Sequence, residues 1–139
     1  MRKMIKPEKI IEQQVKAWAA QNKITIYVFD AKMIKTSTGM QKNTGIQAGT
    51  PDLLGYDQDG RFIAIELKAP GKRNNTTLDQ YLFLVRAIES GCFACVCDDV
   101  QELEIMYHQF KVRRINLLEM LPLRVTVEGK TIPAPKVHY

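Results

Sequence analysis

Thr50-Pro51-Asp52-Leu53-Leu54-Gly55-Tyr56-Asp57-Gln58-Asp59-Gly60-Arg61-Phe62-Ile63-Ala64-Ile65-Glu66-Leu67-Lys68 is the stretch on which the fold turns. Asp57 to Gly60 is turn chemistry between two apolar runs, so Asp52 to Tyr56 and Arg61 to Lys68 read as the two strands of a hairpin. The second strand is apolar on both faces until Glu66 breaks the run Phe62-Ile63-Ala64-Ile65. A buried carboxylate without a partner costs several kcal/mol, so Glu66 requires a cation. Lys68 lies two residues on and shares its face, because strand side chains alternate with period two. Lys68 alone, as a plain salt bridge, is one answer. A divalent metal shared with Asp52 is the other: carboxylate oxygens suit Mg²⁺, which takes one or two carboxylates together with substrate phosphate.

The shared ion demands one register. A two-residue Asp59-Gly60 turn sets Leu53 opposite Glu66 and turns Asp52 to the wrong face, unless a bulge restores it. A three-residue loop, Gln58-Asp59-Gly60, pairs Asp57 with Arg61 and sets Asp52 opposite Glu66. Such a loop ends on a left-handed residue, which glycine supplies. The expectation is therefore positive φ at Gly60. Asp52, Glu66 and Lys68 then share one face, and Ile63, Ile65 and Leu67 the other.

Two carboxylates and a lysine at this spacing, with metal and phosphate implied, are the chemistry of a nuclease. Gly49-Thr50-Pro51-Asp52-Leu53-Leu54-Gly55, Ile63-Ala64-Ile65-Glu66-Leu67-Lys68-Ala69-Pro70-Gly71-Lys72 and Thr77-Leu78-Asp79-Gln80 follow one another in the chain. This string resembles the VRR-NUC family of the PD-(D/E)XK nuclease superfamily, over roughly residues 8–99. The resemblance implies Asp52 and Glu66 as ligands of Mg²⁺ or Mn²⁺, a backbone carbonyl at Leu67 beside them, and Lys68 and Gln80 serving the attacking water. Gln80 also closes a capping box with Thr77, an alternative role as a helix cap. The family's first helix offers a glutamate to the metal. Glu8 and Glu12 are both candidates, and Glu12 is preferred because it borders the apolar stripe of that helix.

The chain has 139 residues, enough for one domain. Its 20 Lys and Arg against 15 Asp and Glu leave a net charge of +5, which suits a polyanion and equally an ordinary solvated surface. Lys32, Lys35 and Lys42, with Lys72 and Arg73, are the expected DNA contacts. Cys92, Cys95 and Cys97 lack a fourth ligand at metal-site spacing, and Cys95 and Cys97 share a strand face as small hydrophobes. His108 and His138 are isolated. No apolar run approaches a membrane span, and Met1-Arg2-Lys3 is not followed by a signal-type apolar stretch. A reduced, cytoplasmic setting in a bacterium or a phage-infected host is expected, with no membrane partner.

Around the hairpin, Ile10, Ile11, Val15, Trp18 and Ala19 form a helical stripe after Pro7, so 8–21 is helical. Ile24 to Phe29 reads as a strand, and Ala31 to Ala48 as a long polar loop that carries Lys32, Lys35 and Lys42. Residues 78–90 form a helix that stops at Gly91, Phe93 to Cys97 a buried strand, and 99–110 an amphipathic helix. The order αβββαβα gives an α/β fold with a mixed central sheet flanked by helices, and the resemblance implies the restriction-endonuclease-like version of it. Residues 1–116 make the nuclease domain. Residues 117–139 are a C-terminal extension, with a hairpin about Glu128-Gly129 and an extended proline-containing tail.

The resemblance further implies structure-selective cutting of branched DNA such as four-way junctions, by a homodimer that sets two sites on one substrate. A flap or replication-fork nuclease is the alternative substrate reading. A non-catalytic DNA-binding or accessory module of a phage replication or recombination complex is the alternative of another class.

Overall fold

The computed structural model describes residues 4–29 and 47–136 in full, and 33–36 and 39–42 by their backbone. Its frame is a four-stranded mixed sheet with three α-helices. In chain order these are α1 (Pro7–Gln21), β1 (Thr25–Val28), β4 (Leu53–Tyr56), β5 (Phe62–Leu67), α2 (Leu78–Glu89), β6 (Phe93–Cys97) and α3 (Val100–Lys111), with β2 (Met33–Thr36) and β3 (Gly39–Lys42) inserted after β1. The sheet order is β1-β4-β5-β6: the β1/β4 and β4/β5 pairs are antiparallel, and β6 lies parallel to β5.

The expected polar loop between β1 and β4 is corrected by β2 and β3, which pair antiparallel with Thr36 opposite Gly39 and Met33 opposite Lys42. A mostly polar ribbon has no apolar alternation to betray its period, so only the pairing reveals it. Lys35 lies on β2 and Lys42 on β3. Lys32 falls outside the described residues.

Both faces of the sheet are covered, but unequally. On one face Leu53, Ile63, Ile65, Leu67, Cys95 and Cys97 pack with Ile11, Val15 and Trp18 of α1 and Leu103, Met106 and Tyr107 of α3. On the other, Ala64, Ala94 and Val96 pack under Tyr81, Leu84 and Val85 of α2. The small residues on that face let α2 sit close over β5 and β6. Cys95 and Cys97 thus act as core hydrophobes, and His108 is exposed on α3.

Residues beyond 116 join this core. Leu117 belongs to the α1/α3 side, Leu121 and Val125 to the α2 side, and all three are buried. The hairpin of β7 (Arg124–Val127) and β8 (Lys130–Pro133) turns through Glu128 and Gly129, both at positive φ, as a two-residue turn of the primed type requires. Thr126 N–H donates to the Thr76 carbonyl at 2.9 Å, and the Tyr81 hydroxyl donates to the Pro135 carbonyl at 3.2 Å. Among the described residues no helix is long and apolar enough to cross a membrane.

Candidate active site

The turn between β4 and β5 sets the site's register. Asp57 N–H donates to the Arg61 carbonyl at 3.1 Å and Gly60 adopts φ +77°, the three-residue loop expected from the sequence. The Asp57 carboxylate holds this loop from inside: Oδ1 accepts from the Asp59 and Arg61 amides, each at 2.9 Å, and Oδ2 from the Tyr107 hydroxyl at 2.9 Å. Sequence reasoning assigned Asp57 no such role. Its one legible signal was an aspartate at the head of a turn.

From that loop the pairs run Tyr56–Phe62, Gly55–Ile63, Leu54–Ala64 and Leu53–Ile65, and the next step sets Asp52 against Glu66. Leu53 and Ile65 face the α1/α3 core, so Asp52 and Glu66 share the opposite face. Asp52 is fixed at both ends. Its carbonyl accepts from Phe29 N–H at 2.8 Å, and its Oδ2 accepts from Leu67 N–H at 2.9 Å. The glycine before it is constrained too: Gly49 has φ +88°, and a Cβ there would lie 2.7 Å from the Asp79 carbonyl oxygen in the first turn of α2. The lead-in to Asp52 therefore rests directly on the helix that carries Gln80.

Glu66 is 2% exposed, and its Oε2 has no hydrogen-bond partner. Lys68 Nζ stands 3.9 Å from its Oε1, too long for a hydrogen bond. Burial first, then the adjacent Asp52 carboxylate, pushes the Glu66 carboxyl far above the ordinary carboxylate range; Lys68 pulls the other way, and Glu8 adds a further push upward. Lys68 Nζ also donates to Gln80 Oε1 at 3.3 Å. That same oxygen accepts from Thr77 N–H at 2.9 Å, while Thr77 Oγ1 accepts from Gln80 N–H at 3.2 Å. Gln80 is thus a capping-box residue and a Lys68 partner at once.

Helix α1 closes the site from the other side of the sheet. A cavity of about 190 Å³ is lined by Lys6, Glu8, Lys9, Glu12, Val28, Phe29, Asp52 and Leu67. The two glutamates differ within it. Glu12 is ion-paired to Lys9 and to Lys16, the latter at 3.4 Å, while the charge of Glu8 adds to the upward push on Glu66. Both glutamates line the cavity that Asp52 shares. Lys6, one of a basic cluster in the sequence with no site role expected of it, lines the same cavity.

The first turn of α1 thus lines the cavity at Asp52, and that of α2 reaches Lys68 through Gln80. Among the described residues no three His, Cys, Asp or Glu side chains are gathered as a ready metal cluster. The donor set fits a hard cation all the same: two opposed carboxylates, one buried oxygen lacking a partner, a cavity that opens on Asp52, and a strand end at Leu67 whose carbonyl can add a third ligand.

The remaining predicted contacts separate. Lys72 is exposed in the loop after β5. Arg73 instead turns inward, with Nη1 at 3.0 Å from Glu102 Oε1 and 3.6 Å from Asp98 Oδ1, and Nη2 donating to the Met120 carbonyl. It ties that loop to α3 and to the C-terminal segment. The β2/β3 insertion leaves the sheet after Phe29, opposite Asp52, and returns through Gln47 to Pro51, so both its ends lie at the carboxylates.

No family model matches the chain, and no curated protein or solved structure matches it either.

Proposed function

We propose that the protein is a metal-dependent endodeoxyribonuclease of the VRR-NUC type, with the restriction-endonuclease-like arrangement of its α/β sheet. The observation that carries this reading is the buried, unpartnered Glu66 oxygen directly across from Asp52, with Lys68 on the same face. A buried carboxylate held at a cost to stability, beside a second one, is what a cation site leaves behind when read from the protein alone.

Asp52, Glu66 and the Leu67 carbonyl would hold Mg²⁺ or Mn²⁺, with Glu8 or Glu12 contributing from α1. The bound ion supplies charge neutralisation on the phosphate and acidifies a coordinated water. Lys68 points an ammonium at the same space, where it orients the nucleophilic water and offsets negative charge developing on the phosphoryl oxygens. Gln80 holds the Lys68 ammonium in place through Oε1. In-line attack then breaks the bond to the 3′ oxygen. Lys35 on β2 and Lys42 on β3, together with Lys32, serve the DNA backbone, and Lys72 does so from the loop after β5.

Branched DNA such as a four-way junction is the proposed substrate, cut by a homodimer in the cytoplasm of a bacterial or phage-infected cell. The test is direct. Purified protein is incubated with labelled junction, flap, duplex and single-stranded DNA, with Mg²⁺, with Mn²⁺ or with chelator. Cleavage that requires the metal and is lost in Asp52→Asn and Glu66→Gln supports the reading; cleavage retained in both variants ends it.

A further inference from the structure

On the face that carries Asp52 and Glu66, helix α2 covers Ala64, Ala94 and Val96 and packs against Leu54 in part. Beyond it the exposed side chains are aromatic: Tyr27 is 54% exposed, Tyr56 50% and Phe62, at the start of β5, 38%. The registers put all three on one surface. Tyr56 is directly opposite Phe62 on β5, and Tyr27, opposite Leu54 on β1, is the diagonal neighbour of Tyr56. Tyr56 pushes the Tyr27 phenol pKa up, as a neighbouring hydroxyl on the same face does.

The rings continue the candidate site along its own strands. Asp52, Leu54 and Tyr56 follow one another on one face of β4, as Glu66, Ala64 and Phe62 do on β5, which sets the ring pair about 13 Å from the carboxylate pair. A polynucleotide that seats one phosphate at Asp52 and runs along the β1/β4 side of α2 toward the hairpin turn passes over Tyr27 and Tyr56 and reaches Phe62. Stacked base pairs offer a flat protein surface only their edges and backbone, whereas unpaired bases offer their faces. Exposed rings bind faces, with little regard to sequence.

We infer that Tyr27, Tyr56 and Phe62 form a stacking platform for unpaired nucleotides flanking the phosphate at Asp52 and Glu66. The inference rests on the nuclease reading and narrows it: the substrate presents single-stranded bases a few nucleotides from the cut, as an opened branch point does and an intact duplex does not.

Binding, not cleavage, tests it. A fluorescently labelled oligothymidylate and a blunt duplex of the same length are titrated into the protein in chelator. Measurements are repeated at raised salt, which weakens phosphate contacts and leaves stacking. Removing both rings in Tyr27→Ala/Tyr56→Ala should weaken oligothymidylate binding at least tenfold and leave duplex binding unchanged. Tyr56→Phe and Phe62→Tyr, which keep a ring, should bind like the parent. Equal oligothymidylate binding by the ringless and parent proteins overturns the platform and leaves the nuclease reading standing if metal-dependent cleavage persists. A parent dimer that becomes a monomer in the ringless variant overturns it too, since the face is then an interface between copies. If the parent binds neither DNA, the nuclease reading fails and the platform with it.

Discussion

Glu66 carries the sharpest consequence of burial. Its carboxyl is raised because the fold removes it from water and sets Asp52 beside it, so the folded chain holds a proton that the unfolded chain releases in the ordinary carboxylate range. Below that range the group has no effect on stability. As pH rises above it, the unfolded state loses its proton and the folded state does not, and stability falls by up to about 1.4 kcal/mol per pH unit until the raised pKa is reached. Metal-free protein should therefore be more stable at pH 5 than at pH 8, and Glu66→Gln should flatten that dependence and raise stability at neutral pH. Urea denaturation across pH checks both; a Glu66→Gln variant less stable than the parent at pH 8 would show that the carboxylate is satisfied after all. Metal must displace the same proton, so apparent Mg²⁺ affinity should tighten by up to about tenfold per pH unit over this window, measured by calorimetry.

Elements bring the carboxylates together, and the hairpin turn is the part most exposed to test. Asp57→Ala strips the Asp59 and Arg61 amides and the Tyr107 hydroxyl of their acceptor, and should cost on the order of 3 kcal/mol in chemical denaturation. Asp57→Asn, which keeps a carbonyl oxygen, should cost less. At the start of α2, Gln80→Ala removes half of a capping box at about 1 kcal/mol and also releases Lys68. A cap alone predicts lost stability with cleavage retained in proportion to folded protein. The proposed role predicts that cleavage by fully folded Gln80→Ala drops well below that of the parent. Replacing Lys35 on β2 and Lys42 on β3, together with Lys32, by Ala should weaken DNA binding across sequences and lower the slope of log affinity against log salt.

At the scale of the molecule, residues 117–136 are structural, not appended. Leu121 is buried against the α2 side of the sheet, and Leu121→Ala should cost about 2–5 kcal/mol, a large share of an ordinary domain's stability. With that segment packed on its own chain, the outer face of α3 keeps exposed apolar side chains that a second copy can cover, Ile105 at 60% and Val112 at 49%. If the proposed dimer forms there, Ile105→Asp should convert it to a monomer by light scattering at about 50 μM while leaving the fold intact. A parent protein that is monomeric with and without DNA would remove the symmetric two-cut scheme.

Much of this was legible in single residues and their spacing. Glu66 inside an apolar strand demanded a partner before any fold was known, because burial of charge is costly wherever it occurs. Gly60 at the end of a turn selected a three-residue loop, and that loop alone decided that Asp52 faces Glu66. The helices of α1, α2 and α3 announced themselves through their apolar stripes, with ends displaced by a residue or so. Relations between distant segments were not legible, since no local pattern encodes them. That Glu8 and Glu12 share a cavity with Asp52 depends on where α1 crosses the sheet. That Arg73 is spent on Asp98, Glu102 and Met120, that Asp57 meets Tyr107, and that the C-terminal hairpin completes the core all depend on side chains meeting across the fold. The bare rings of Tyr27, Tyr56 and Phe62 belong with these: a strand's sequence shows which residues share a face, and only tertiary packing decides which part of that face a helix leaves uncovered.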